Sequence, residues 1–303
     1  MKIIYNNVDI YNDISLNYAV HEMHAEKEAD SLVLRFNDSK GLWSKWNPKT
    51  GDTIALEQKK SVTGKMYIHD MNARNGLFTI RAMSMPMTMK DKRSATWQKV
   101  TLEQIAKEIA TRHGLTLKTY SIQNQIYSNL TQTNESDAFF LSTLCTLEGY
   151  QMIVFDGSII IYNEAEREKV VASDTVEIGK SSEYTCEDRS SEAFGVSKVY
   201  AGTYQGQFSA GSGTRSMETI LTANSNTEAT RFAKGLLRNA NKALKTGCVL
   251  LDFTEKYAPA SVVEIVTKKA VQWSGKSFVT KVRQDYVQNT TRLYFRSIYL
   301  EGY

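Results

Sequence analysis

A mainly β chain, in which two β units flank a small unit of two helices and a hairpin, is predicted by three features of this 303-residue sequence. Apolar residues alternate in short runs in the first ninety residues and again in the last sixty, the period of half-buried strands. Between them lie two capped helical segments and an Asp-Gly turn. There are 16 tyrosines and 11 phenylalanines against 3 prolines, and aromatic side chains suit a pleated, half-buried surface. The expected bounds are 1–90 for the first β unit, 91–165 for the α+β insertion and 166–303 for the second β unit with one amphipathic helix, a length that can bury two or three cores.

In the first unit, SLVLRFND puts Leu32, Leu34 and Phe36 on one face. GDTIALE, GKMYIHD and GLFTIRAMS follow as short strands between turn residues, the spacing of a sandwich or barrel. Trp43 and Trp46 are expected to close a loop over one end. The stretch MSMPMTMKDKRSAT lacks periodicity and reads as a connector, its adaptable methionines covering the joint between modules or a partner.

The insertion begins with a capping box, Thr101 with Gln104, in which two free backbone N–H groups are satisfied reciprocally. Leu102, Ile105, Ala106, Ile109 and Ala110 follow at helical spacing, and Gly114 supplies the left-handed residue that ends the helix. His113 falls in the last turn, where a partial positive charge complements the helix dipole; a capping or surface role is expected for it. Ser136 caps a second helix that Gly149 ends. Phe139, Phe140, Leu141, Leu144 and Leu147 spread around most of its circumference, so neighbours should wrap it. QMIVFDGSIIIYN is a hairpin turning at Asp156-Gly157, a strong two-residue turn signal.

From residue 164, EAEREK reads as a solvated charge run and 205–216, rich in glycine and serine, as a mobile loop. A third helix runs from its cap at Ser225, with Glu228 completing the box, to a stop at Gly247. CVLLDF and SVVEIV are strands, and KSFVTKVRQDYV with TRLYFRSIYLEGY closes the chain as an aromatic hairpin.

No catalytic signature stands out. HEMH, with His21 and His24, has a spacing of three where a helical zinc motif needs four, and a strand or loop suits it better. Asp137, Glu148, Asp156 and Glu164 each have a local explanation, so no carboxylate pair is expected to converge. Neither metal nor cofactor is expected. Cys145, Cys186 and Cys248 are scattered and odd in number, which suggests no disulfide framework and a reducing compartment. A net charge of +4 makes neither a membrane nor nucleic acid a default partner. The one biased surface is on the third helix: Arg231, Lys234, Arg238, Lys242 and Lys245 fall within an arc of about 80° at 100° per residue, opposite the apolar face. That arc is either solvated or a protein interface against an acidic surface.

The order of these parts resembles the late control protein D family, the baseplate hub proteins of contractile phage tails and tail-like particles. WQKVTLEQIAKEIATRHGLTL and then SDAFFLSTLCTLEGYQMIVFDGSIIIYN carry the likeness most strongly, over 93–163, and the helix TEATRFAKGLLRNANK before an aromatic hairpin extends it. The resemblance implies two tail-tube-like β-barrel or sandwich domains flanking the insertion. It further implies a homotrimeric ring that joins the six-fold tail tube to the three-fold spike. Its partners would be the tail spike protein, the tail tube or tube initiator protein, and other baseplate wedge proteins. The ring would be assembled in the bacterial cytoplasm and end in the virion or tail-like particle. Some members carry a fused cell-wall hydrolase, which is not expected after Tyr303. The alternatives are a peptidoglycan-degrading tail-associated enzyme, or another tail tube or distal-tail component.

Overall fold

Two β units share one continuous sheet in the computed structural model, which describes residues 1–26, 28–179, 182–211 and 213–298. The first unit contributes Lys2–Tyr5, Ser15–His24, Ser31–Asn37, Thr53–Gln58, Met66–Arg74 and Leu77–Met83, and the second contributes Tyr184–Asp188, Lys245–Asp252, Gly275–Asp285 and Thr290–Ser297. They meet where Ser15–His24 runs antiparallel to Gly275–Asp285, with Val20 opposite Asp285 and His24 opposite Lys281. The fold is therefore mainly β with an α+β insertion, as expected, and its two β units are joined edge to edge.

The alternation in SLVLRFND does what period two predicts. Leu32, Leu34 and Phe36 are fully buried in the first core beside Ile54, Leu56, Ile68 and Ile80. Trp43, in the short helix α1 (Leu42–Trp46), is 1% exposed and stacks between Phe36 and Phe78, so it lies inside the core at the loop's base. The second unit has a core of its own around Val249, Val263, Ile265, Val279, Val282, Leu293 and Phe295.

The insertion carries α2 (Leu102–Arg112) and α3 (Asp137–Leu147). Both halves of the Thr101–Gln104 box are formed, Ser136 caps α3, and Gly114 and Gly149 take positive φ after each helix. Tyr150–Phe155 and Ser158–Asn163 form the hairpin, with positive φ at Asp156 and Gly157. Three expectations are corrected here and one is met. KRSATWQKVT is a strand, Lys92–Thr101, paired with Ile126–Ser136, and only the segment before it is a connector. In that connector Met85 and Met89 are buried in the insertion's core, covering the joint. Thr116–Tyr120 adds a parallel strand to the hairpin. Phe139 is 60% exposed, so α3 is not wrapped on all sides.

The segment 205–216 is largely ordered sheet. Tyr204–Ser209 and Arg215–Ile220 flank Phe194–Ala201, and residue 212 lies outside the described residues. The helix α5 (Asn226–Asn241) packs across this small sheet, and Gly206 lets it approach: a Cβ there would stand 2.2 Å from the backbone at Ala229. α5 ends before Gly247, which lies in the strand Lys245–Asp252 against the Phe295 ring, where a Cβ would sit 2.5 Å from it. Ala229, Phe232 and Ala233 of α5 join α2, α3 and the hairpin in one core. The insertion's core thus draws on residues beyond 165, from the stretch assigned to the second β unit.

Gly235 sits where α5 crosses the end of α3, and a Cβ there would fall 2.2 Å from the Leu147 carbonyl oxygen. Backbone cannot yield as a side chain does, so Gly235→Ala is expected to cost about 1–3 kcal/mol through overpacking, read as a lowered urea midpoint. An unchanged midpoint would show that the two helices are not in contact at this point.

Candidate functional site

The basic arc of α5 does not face solvent as a set. Arg231 donates to Glu148 through Nε and Nη2, both at 3.1 Å, and Tyr127 donates to the same carboxylate at 2.8 Å. Arg238 lies 2.7 Å from Glu168 and 3.4 Å from Glu164. Lys242 pairs with Glu164 at 3.0 Å and with Glu26. Lys245 has left the helix for the next strand and pairs with Asp188 at 3.4 Å. Lys234 alone of the five is exposed, its ammonium 5.3 Å from the centre of the Phe208 ring. The acidic surface that the arc meets is largely this chain's own.

The correction extends to EAEREK. It forms the short helix α4 (Glu164–Glu168), in which Glu164 and Glu168 are 1% and 0% exposed. Arg296, from the last strand of the second unit, reaches both at 3.1 and 2.5 Å. Three carboxylates and three cations therefore meet in the joint between the insertion and the shared sheet. Burial alone would raise the pKa of Glu164, but Arg296, Lys242 and Arg238 hold it well below the usual carboxylate range. Around this network the Tyr162 hydroxyl donates to the Ala25 carbonyl at 2.6 Å and Arg167 to that of Ala260 at 2.7 Å. At the hairpin tip, the Lys65 N–H donates to Asp156 at 3.1 Å. These contacts fix how the insertion sits on the β units.

His113 is the C-cap of α2, as the capping reading expects, but not a surface residue. Its side chain is 2% exposed, with Nε2 2.8 Å from Asp137 and Nδ1 2.9 Å from the Thr88 hydroxyl. A carboxylate only accepts, so Nε2 donates to Asp137, and Nδ1 pairs with the Thr88 hydroxyl. Hydroxyl, imidazole and carboxylate in series have the connectivity of a nucleophilic triad. The electrostatics differ, because Asp137 also accepts from Arg112 at 2.8 Å and Gln132 at 3.0 Å, with Arg93 at 3.4 Å. Burial would raise the pKa of Asp137, and the hydrogen bonds from Gln132, His113 and Arg112 lower it on balance. A carboxylate already neutralised by arginines does little to stabilise an imidazolium. The arrangement is a tie between α2, the start of α3 and the connector.

Asp137 is held by Arg112, His113, Gln132 and Arg93, Glu148 by Tyr127 and Arg231, Asp156 by the Lys65 N–H, and Glu164 by Lys242, Arg238 and Arg296.

His21 and His24 lie in the strand Ser15–His24, close to the joint. Both ring nitrogens of His21 are buried with no hydrogen-bond partner among the described residues, and burial pushes its pKa down to about 3 from 6.5. Asp30 is pushed up to about 7 from 3.8 by burial, despite accepting the His24 N–H at 2.8 Å. Burial also lowers His24, with Glu28 and Glu22 opposing and Lys281 assisting. The two shifts give slopes of opposite sign. As pH falls from 6.5 to about 3, unfolded His21 binds a proton that the folded chain refuses, so stability is lost. As pH rises from 3.8 to about 7, unfolded Asp30 ionises while the folded carboxyl stays protonated, and stability is again lost. Asp30→Asn keeps the acceptor without the charge. Its urea midpoint is expected to rise progressively above that of the parent between those two pH values, and a pH-independent difference would refute the burial of Asp30.

No protein-family model and no curated protein matches the sequence. The fold does match solved structures. A 43 kDa tail protein of prophage MuSo2 from Shewanella oneidensis superposes with a TM-score of 0.77 at 8% identity, covering 98% of each chain. A tail protein from Neisseria meningitidis gives 0.75 at 10% identity over 98% of this chain and 95% of that one. An Escherichia coli component of the type VI secretion system, described as structurally similar to the phage T4 tail proteins gp27 and gp5, gives 0.61 at 11% identity over 100% and 78%. The chain has the fold of phage tail proteins.

Proposed function

We propose that this chain is a structural hub protein of the baseplate of a contractile phage tail or tail-like particle. It acts by binding and catalyses no reaction. Three copies form a ring that joins the six-fold tail tube to the three-fold spike. The partners are the spike, the tube or tube initiator protein and the wedge proteins, and the ring is assembled in the bacterial cytoplasm. The observation that carries this reading is the end-to-end match to tail proteins, 98% of both chains in the first comparison. Such a match includes both β units, the sheet they share and the insertion. Two similar β units per chain give three copies six such units, which suits a three-to-six-fold adaptor, and closed rings are the usual form of oligomers.

Native mass spectrometry and cryo-electron microscopy of the purified protein test it. Three copies in a ring, retained on addition of the spike, are expected. A six-fold ring would point to a tube or distal-tail component. Lysis of cell walls in a zymogram, abolished by a single carboxylate substitution, would overturn the non-enzymatic reading.

A further inference from the structure

The end of α3, α4 and the exposed side of α5 enclose an open polar cleft of about 420 Å³. Four cations and two carboxylates line it: Lys169, Arg231, Lys234 and Arg238 against Glu148 and Glu166. Two of the cations are committed at its floor. Arg231 is bidentate on Glu148, and Arg238 faces the buried carboxylates of α4. A guanidinium has five N–H donors, and Arg231 uses two on Glu148, so it still offers donors to a ligand. The other two cations are exposed at the mouth. Lys234 has no ion-pair partner among the described residues, its ammonium resting near the Phe208 ring. Lys169 pairs with Glu166 at 2.6 Å, with the two side chains 62% and 49% exposed, and a surface pair of that kind is worth little and exchanges readily.

We infer that this cleft is a docking site for an acidic segment of a partner protein, whose carboxylates are received by Lys169 and Lys234 and by the remaining N–H donors of Arg231. With Lys169, Arg231 and Arg238 each facing carboxylates of this chain, the excess positive charge of Lys234 selects the partner's sign. The charged side chains that line the cleft suit carboxylates. Only the identity of the partner as a neighbouring tail protein rests on the function proposed above; the site itself does not.

The test is fluorescence anisotropy of the full-length chain with labelled hexaglutamate at low ionic strength. Saturable binding of one peptide per chain is expected, weakening as salt shortens the Debye length below about 10 Å. Lys169→Glu with Lys234→Glu should weaken it about tenfold or more, since two attractive contacts become repulsive. The charge-matched control, Lys40→Glu with Lys45→Glu around α1, should change it by about twofold or less through net charge alone. Urea midpoints of both double variants should match the parent. The inference fails if hexaglutamate does not bind, if the cleft variant binds as the parent does, or if inorganic phosphate at equal ionic strength displaces the peptide as well as unlabelled hexaglutamate. Failure here would leave the copy number in the ring untouched, and a wrong copy number would leave this binding untouched.

Discussion

Arg296→Ala is expected to lower the free energy of unfolding by roughly 3–5 kcal/mol, the cost of removing one member of a buried ionic cluster. Arg296 is fully buried, contacts Glu164 and Glu168 and lies 4.5 Å over the Phe278 ring. Its removal leaves two carboxylates among Arg238 and Lys242 alone and opens a void against Phe278. Neither loss can be repaired locally, because the partners come from α4, α5 and the loop at Glu26. The cluster exists to orient elements distant in sequence, so the defect should loosen the insertion from the sheet. Hydrogen exchange would then show lost protection at Tyr162 and at Ala260, whose carbonyl holds Arg167. Lys234→Glu, on the same helix but exposed, should stay within about 0.5 kcal/mol of the parent. A loss near zero for Arg296→Ala in urea titrations would mean that water reaches the cluster.

The same contrast explains what could be read in advance. Leu32, Leu34 and Phe36, the Thr101–Gln104 box and the Asp156-Gly157 turn announce themselves because each is a local device, complete within a few residues. The strand Lys92–Thr101 was hidden because its face is mixed: Trp97 packs on Phe140, while most of its neighbours are polar and its partner strand begins at Ile126. EAEREK gave no sign of burial, since a solvated carboxylate and a neutralised one are the same letter. What distinguishes them is Arg238, Lys242 and Arg296, between 70 and 132 positions away. The basic arc misled for the complementary reason: helical geometry placed Arg231, Arg238 and Lys242 on one side, but the partners on that side belong to the tertiary fold. Gly206 and Gly247 looked like loop and stop signals, and each instead marks a place where backbone meets a neighbour too closely for a Cβ. Of the five cations of the arc only Lys234 is exposed; Lys169, which lines the same cleft, lay in the charge run.

Trp43→Ala should be the other severe lesion, lowering stability by about 3–5 kcal/mol as expected for a large aromatic truncated in a packed core. Phe36 and Phe78 stack on Trp43 at 4.7 and 5.3 Å, and Trp46 and Tyr5 meet it edge-on at 5.0 and 5.9 Å. No single neighbour can swing in to fill the space without abandoning another contact. Trp43→Phe separates packing from polarity. The indole N–H is buried without a hydrogen-bond partner among the described residues, so the substitution removes an unsatisfied donor as well as part of a ring. The two changes oppose, and a loss below about 1.5 kcal/mol is expected. Urea unfolding followed by far-ultraviolet circular dichroism reads both variants without relying on the fluorescence of the residue removed. If phenylalanine proved as damaging as alanine, Trp43 would owe its place to a hydrogen bond, and the aromatic stack would not be what holds the first β unit together.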